Sequence, residues 1–316
     1  MTTNGGKDGS TVQQVMRVTD LTFTYTGSKS PTLRNFNLNL PAGSRCLLIG
    51  QNGAGKSTLL KILAGRHLTS PDDAVVVLGK DSFRDTTLNK DRSFLSMDWG
   101  TRTVSFTGHG IPLQADIAVS DMMRKDQERY PERRDEIIRM LGVDPTWRMH
   151  QVSDGQRRRV QLLLGLVRPF KLLLLDEITA NLDVIVRQDL LLWLRKECEE
   201  RGATIVYTTH IFDGLDDWPT HLTYMKGDGS TGWQGKMEDL EFKKQLVKKG
   251  EAATLLKIAC HWLRGELEQE RAKAREDGAR REEARGDEAV RERNPDLLAY
   301  VVGGGYAPGR LAHQGI

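Results

Sequence analysis

Gly50-Gln51-Asn52-Gly53-Ala54-Gly55-Lys56-Ser57 has the residue types and spacing to cradle a phosphate chain. Glycines let successive backbone N–H groups turn toward one anion. A lysine after the last glycine reaches the β- and γ-phosphates, and the next hydroxyl can ligate Mg²⁺. The competing reading is a glycine turn that happens to precede a lysine. The flanks argue for the first. Cys46-Leu47-Leu48-Ile49 is an apolar run suited to a buried strand, and residues 58–64 have helical spacing and stop at Gly65. The loop therefore opens a helix, whose N-terminus favours an anion. Thr58, next in the chain, joins the expected phosphate ligands.

A second chemical element is Leu172-Leu173-Leu174-Leu175-Asp176-Glu177. Four leucines in succession suit a strand buried on both faces of a parallel sheet. Its terminal carboxylate then lies at the sheet's C-terminal edge, where ligands of α/β folds bind. Asp176 is placed to hold a Mg²⁺ shell, and Glu177 to polarise a water near a γ-phosphate. A third element is Val152-Ser153-Asp154-Gly155-Gln156, heading a helical pattern over residues 157–167. Ser153 reads as an N-cap, and the N–H groups after it make another anion-favouring helix end.

The elements that must position these groups follow an α/β order. Residues 15–25 and 33–40 alternate as half-buried strands, and residues 74–78 form a short one closed by Gly79. From about residue 100 glycine and loop residues run to Gln114. Helical patterns then cover 119–129 and 131–141, with Pro131 at an early position and Gly142 at the stop. This reads as a helical insertion over about 100–156. A helix over 184–201 and a strand over 203–207, ending at Thr208-Thr209-His210, complete the core. The expected organisation is a disordered tail over 1–14, one nucleotide-binding domain over 15–235, and a helical, charge-rich extension over 236–316. In that extension, residues 237–262 read as one helix rich in Leu and Lys. Residues 264–293 read as a solvated helix, a disordered run or a binding helix.

Composition bounds the partners. The 316 residues are 38% hydrophobic, enough for a sizeable core. Lys+Arg 46 against Asp+Glu 43 leaves a net charge of +3, which makes no electrostatic case for nucleic acid. Cys46, Cys198 and Cys260 are scattered without metal spacing. No apolar run is long enough to span a bilayer, and residues 1–14 lack the apolar core of a signal peptide. The expectation is a soluble protein of the cytoplasm or nucleus.

Taken in order, these motifs resemble the ATP-binding-cassette (ABC) family. Its signature, L-S-G-G-Q, corresponds here to Val152-Ser153-Asp154-Gly155-Gln156, about twenty residues before Asp176. The resemblance covers roughly residues 15–235. It implies an α/β P-loop (RecA-like) nucleotide-binding domain with a helical subdomain and an antiparallel N-terminal part. It also implies ATP and Mg²⁺ as ligands, Tyr25 stacked on adenine, Asn181-Leu182-Asp183 as the D-loop and His210 as the γ-phosphate switch. Two copies are then expected to pair head to tail on ATP, with residues 50–57 of one facing Ser153, Asp154, Gly155 and Gln156 of the other. Residues 147–161, Asp176-Glu177-Ile178-Thr179 and residues 209–215 are similar to the soluble eukaryotic cassette ATPases associated with the carbon-catabolite-repression–Not complex. That resemblance implies partners in transcription and mRNA turnover. One departure stands out. Transporter cassettes carry a glutamine, the Q-loop, where this chain has Phe94-Leu95-Ser96-Met97-Asp98-Trp99-Gly100. Asp98 is either an oxygen ligand for Mg²⁺ or an ordinary turn residue. Three functions follow: a soluble regulatory ATPase acting on a protein complex, the detached ATPase subunit of a transporter, or a nucleotide-gated binding module. Glu177 argues against the last.

Overall fold

A computed structural model describes residues 14–97 and 116–293. For residue 274 and residues 277–293 it describes the backbone alone. Residues 1–13 of the expected N-terminal tail, Asp98 and the loop run to Gln114 lie outside the described residues, while Gln14, the last residue of that expected tail, is in a strand.

The chain begins with β1 (Gln14–Phe23), β2 (Leu33–Pro41), β3 (Arg45–Gly50), α1 (Lys56–Leu63), β4 (Val75–Val77), β5 (Lys80–Asp81) and β6 (Arg92–Ser96). Helices α2 (Val119–Met122), α3 (Arg124–Arg129), α4 (Pro131–Leu141) and α5 (Asp154–Leu166) follow. Then come β7 (Leu172–Asp176), α6 (Val184–Arg201), β8 (Thr204–Thr208), β9 (His221–Met225), β10 (Thr231–Lys236), α7 (Glu241–Lys248) and α8 (Leu255–Arg293). One sheet is antiparallel in the order β2-β1-β4-β5. The other runs β10-β9-β3-β8-β7-β6 and is parallel except for β10 at its edge.

The central parallel strands β3, β7 and β8 are buried on both faces, and their alternation sorts the side chains into two cores. Cys46, Leu48, Leu172, Leu174 and Val206 face α1 and the antiparallel sheet. Leu47, Ile49, Leu173, Leu175, Ile205 and Tyr207 face the helices, among them Val160 and Leu163 of α5 and Leu190 and Leu194 of α6. An unbroken apolar run is what such a two-faced strand requires, because both side-chain rows leave water.

Two expectations change, and one strand has no counterpart in the sequence reading. The helical pattern over 119–129 is two helices, because Met123 (φ −106°, ψ 14°) leaves the helical region and is buried in the core. Strand β6 has mixed polar and apolar residues without clean alternation, and it is held by pairing along β7. The expected single helix over 237–262 is instead a tight 3-10 turn, α7 and the start of α8, broken at Gly250 with φ 72°. Packing also continues past residue 235. Leu240, Leu255, Ile258 and Ala259 are buried in the core, and Trp262 stacks on Tyr224 at 4.9 Å. The first compact unit ends at Leu263 and a second runs from Arg264.

The helical segment is tied to the core by a buried ion pair. Arg133 of α4 donates from both terminal nitrogens to Glu197 of α6, each at 2.8 Å, and from Nε to the Leu166 carbonyl at 2.9 Å. Its guanidinium lies 4.7 Å from the Trp193 ring centroid. Arg133→Ala leaves the buried Glu197 carboxylate only its contact with Arg201 Nη1 at 2.5 Å, so we expect a stability loss of about 3 kcal/mol, the low end for breaking a buried pair, in urea denaturation. Arg133→Lys lacks the planar fork and should recover less than half of it.

Candidate functional site

Strand β3 delivers the chain into the loop at Gly50, where a Cβ would lie 2.5 Å from the Met225 carbonyl oxygen of the neighbouring strand. Gly53 and Gly55 have φ 84° and 104°, a region closed to most side chains. A Cβ on Gly55 would also meet Leu33 at 2.8 Å. The glycines thus let the loop curl tightly and seat it on the start of β2. Lys56 is 6% exposed, and its Nζ donates to the carbonyls of Gly50 and Gln51, both at 2.8 Å. Burial holds its pKa below the usual lysine range, while Glu177 and Asp176 pull it upward. A desolvated cation within a glycine-rich loop at the start of α1 fits an anionic ligand.

Beside the loop, Ser57 Oγ donates to Asp176 Oδ1 at 3.1 Å, and Thr208 Oγ1 donates to the same oxygen at 2.8 Å. The register explains the meeting. Asp176 pairs with Thr208 of β8 on one side and with Ser96 of β6 on the other, all at strand C-terminal ends. Glu177 then takes φ 52°, unusual for a non-glycine, and its N–H donates to the Thr208 carbonyl. Such a conformation costs of order 1–3 kcal/mol and persists only where its surroundings impose it. It carries the side chain away from the strand line to His210, whose Nε2 is 3.0 Å from Glu177 Oε1. Both side chains are solvent-accessible, at 45% for His210 and 37% for Glu177.

Thr32, Asn52, Gly53, Gly55, Lys56, Ser57, Thr58 and Glu177 line an open pocket of ≈ 180 Å³. Tyr25 stands next to it, its hydroxyl 3.1 Å from Thr58 Oγ1 and its ring edge-on to Phe23 and His67. Among the described residues no cluster of three or more His, Cys, Asp or Glu side chains could hold a metal unaided. A hydroxyl and a single carboxylate, Ser57 and Asp176, are nonetheless the donor set Mg²⁺ uses when phosphates and water complete its octahedron. A larger cavity of ≈ 400 Å³, between α6 and Trp218, contains none of these groups.

The third element sits elsewhere on the chain. Ser153 and Gln156 form a reciprocal capping box: Gln156 N–H donates to Ser153 Oγ at 3.2 Å, and Ser153 N–H to Gln156 Oε1 at 2.9 Å. The helix therefore starts at Asp154, before the expected residue 157. Ser153 and Asp154 are exposed, and none of Ser153, Asp154, Gly155 and Gln156 lines the loop pocket. Gly155 approaches the Asn181 carbonyl, where a Cβ would be 3.4 Å away. Asp183 caps α6 through the Val186 N–H at 3.0 Å and accepts from Arg159 at 2.5 Å. Residues the sequence reading did not single out are Thr32, Thr208 and Arg159. The Thr208-Thr209-His210 ending of a strand was the available signal for Thr208; Arg159 had none.

This site is that of a nucleotide-binding cassette, and comparison with known proteins agrees. The profile of the family described as ABC transporter matches residues 33–180. The chain is 44% identical over 317 residues to ABC transporter I family member 20 of Arabidopsis thaliana, covering 96% of this chain and 92% of that protein. It is 40% identical over 237 residues to CCR4-associated factor 16 of Saccharomyces cerevisiae, covering 73% and 82%. The fold resembles a dimeric ATP-binding cassette solved with ADP and Pi: TM-score 0.59, 22% identity, 71% of this chain and 100% of that one. The chain belongs to the ATP-binding-cassette family and is an ABC-type ATPase. No helix among the described residues is long and apolar enough to cross a membrane.

Proposed function

We propose that the protein hydrolyses ATP between two copies paired head to tail and acts as a regulatory factor on a protein complex of transcription or mRNA turnover. One observation carries the two-copy part. Glu177 and His210 stand at the loop pocket, while the capped Ser153 turn is exposed and contributes nothing to that pocket. A second copy, inverted, supplies the turn and closes two sites by one symmetry operation.

In this reading, Gly50, Gln51, Asn52, Gly53, Ala54, Gly55 and Thr58 wrap the phosphates, and Lys56 balances their charge. Tyr25 offers a face to adenine. Ser57 and Asp176 would hold Mg²⁺, which would neutralise negative charge on the phosphates. Glu177 takes a proton from the water that attacks the γ-phosphorus, and the β,γ-bridging oxygen leaves with ADP. His210 holds the Glu177 carboxylate in position and touches the γ-phosphate. Asp183 fixes the start of α6 next to the second copy.

The regulatory part rests on the relative described as a CCR4-associated factor, together with the absence of a spanning helix among the described residues. In this reading the protein works in the cytoplasm or nucleus. The transporter-subunit reading is supported by the descriptions of the family and of the plant relative, and by a 28% identical relative described as a thiamine import ATP-binding protein. Capture from cell extract with the full-length Glu177→Gln protein, ATP and Mg²⁺ separates the two. Subunits of an mRNA-turnover or transcription assembly should co-purify with ATP and not with Lys56→Ala. A polytopic membrane protein recovered with the same dependence would replace this reading.

A further inference from the structure

A set of buried polar contacts joins α5 to the end of β6, and no step above uses it. Gln161 is 1% exposed and donates from Nε2 to the Ser96 carbonyl at 2.8 Å. Arg158 is 8% exposed, and its Nη1 donates to the same carbonyl at 3.2 Å and to Gln161 Oε1. Arg158 Nη2 lies 3.4 Å from the Met97 carbonyl oxygen and 3.3 Å from Met97 Sδ. Further along, Ser93 Oγ donates to the Gly165 carbonyl at 2.8 Å, and Gly165 has no room for a Cβ against Leu95. Helix α5 and strand β6 are fastened over their whole overlap.

The positions of the two ends give this fastening a consequence. Arg158 and Gln161 lie one and two turns beyond Ser153, on a helix whose capped N-terminus is exposed. The carbonyl they grip belongs to Ser96, the register partner of Asp176. One rigid helix thus joins the turn offered to a second copy with the strand flanking the chain's own Asp176 and Ser57. Burying a guanidinium is costly, and the burial holds Arg158 below the usual arginine range. A leucine or methionine at these positions would fill the space against β6 without that cost.

We propose that Arg158 and Gln161 are positioning residues that couple the two ATP sites of the pair. A displacement of the Ser153 turn on meeting the second copy's ATP is carried through the Arg158–Gln161 grip to Ser96 and Met97. There it sets the Asp176 edge for turnover in the same chain. This rests on the two-copy reading.

The test is an ATP titration of steady-state hydrolysis with the full-length chain. The wild type should give a Hill coefficient of about 1.5 or more, and Arg158→Gln and Gln161→Met should each bring it to about 1. We expect kcat to fall about tenfold, while nucleotide binding to the isolated chain without Mg²⁺ changes less than about twofold. Arg158→Lys, able to reach one carbonyl, should be intermediate. If Arg158→Gln does not fold, Gln161→Met decides alone, since it preserves volume. A wild-type coefficient of 1 overturns the coupling, as does a variant that loses rate but keeps the wild-type coefficient. Size-exclusion of Glu177→Gln with ATP separates the failures: no dimer removes the two-copy reading, and a dimer with unaltered Hill behaviour removes only the coupling.

Discussion

Glu177→Gln is expected to convert the protein from a monomer into a stable, ATP-dependent dimer that turns over about 10²–10⁴-fold more slowly, the range set by losing a general base. The carboxylate follows Asp176 at the end of β7, and the left-handed backbone at Glu177 aims it at His210. Gln keeps the shape, the backbone preference and an oxygen that still accepts from His210 Nε2. It loses the ability to take a proton from water. Binding should therefore survive while cleavage stalls. The intact γ-phosphate then keeps bridging Lys56 and His210 of one copy to Ser153 and Gly155 of the other. Its charge sits at the N-terminus of α5 in that copy, where an anion is favoured. The wild type should pair only transiently, because cleavage removes the bridge. Size-exclusion chromatography with ATP and Mg²⁺ reads the outcome. A Glu177→Gln variant that still hydrolyses ATP, or that binds it tightly and stays monomeric at micromolar concentration, would falsify the two-copy mechanism.

Lys56→Ala is expected to weaken ATP binding by about ten- to a hundredfold, the worth of one charge-assisted hydrogen bond, and to lower turnover by a further 10²-fold or more. Lys56 Nζ is the cation inside the loop, held by the Gly50 and Gln51 carbonyls. Its side chain is also buried, so removal leaves space and two carbonyls without this donor. Lys56→Met fills the space and removes only the charge. If both variants lose binding while retaining the wild-type melting temperature, the charge is responsible. Wild-type turnover in either variant would show that the loop does not hold the phosphates.

The parts of the site built from neighbouring residues were legible in the chain. The loop over 50–57 is one continuous stretch, and glycine permissiveness, an apolar run before it and helical spacing after it are local properties. The leucine run ending in Asp176 is equally local, since two-faced burial needs only that every residue be apolar. Four features needed the tertiary structure. Strand β6 has no pattern of its own, and pairing beside β7 makes it a strand. The extension past residue 235 looks polar because only Leu240, Leu255, Ile258, Ala259 and their neighbours face inward, spread across two helices and a turn. Arg133 and Glu197 are 64 residues apart, and nothing local distinguishes them from solvated surface charges. The same holds for Arg158, which stands between two other arginines in the chain and is buried in the structure against Ser96 and Met97. Sequence determines which backbone conformations a short segment can take. Which distant carbonyl or carboxylate a long polar side chain finds is settled only when the layers pack, because burial makes an unmatched polar group costly and a matched one lasting.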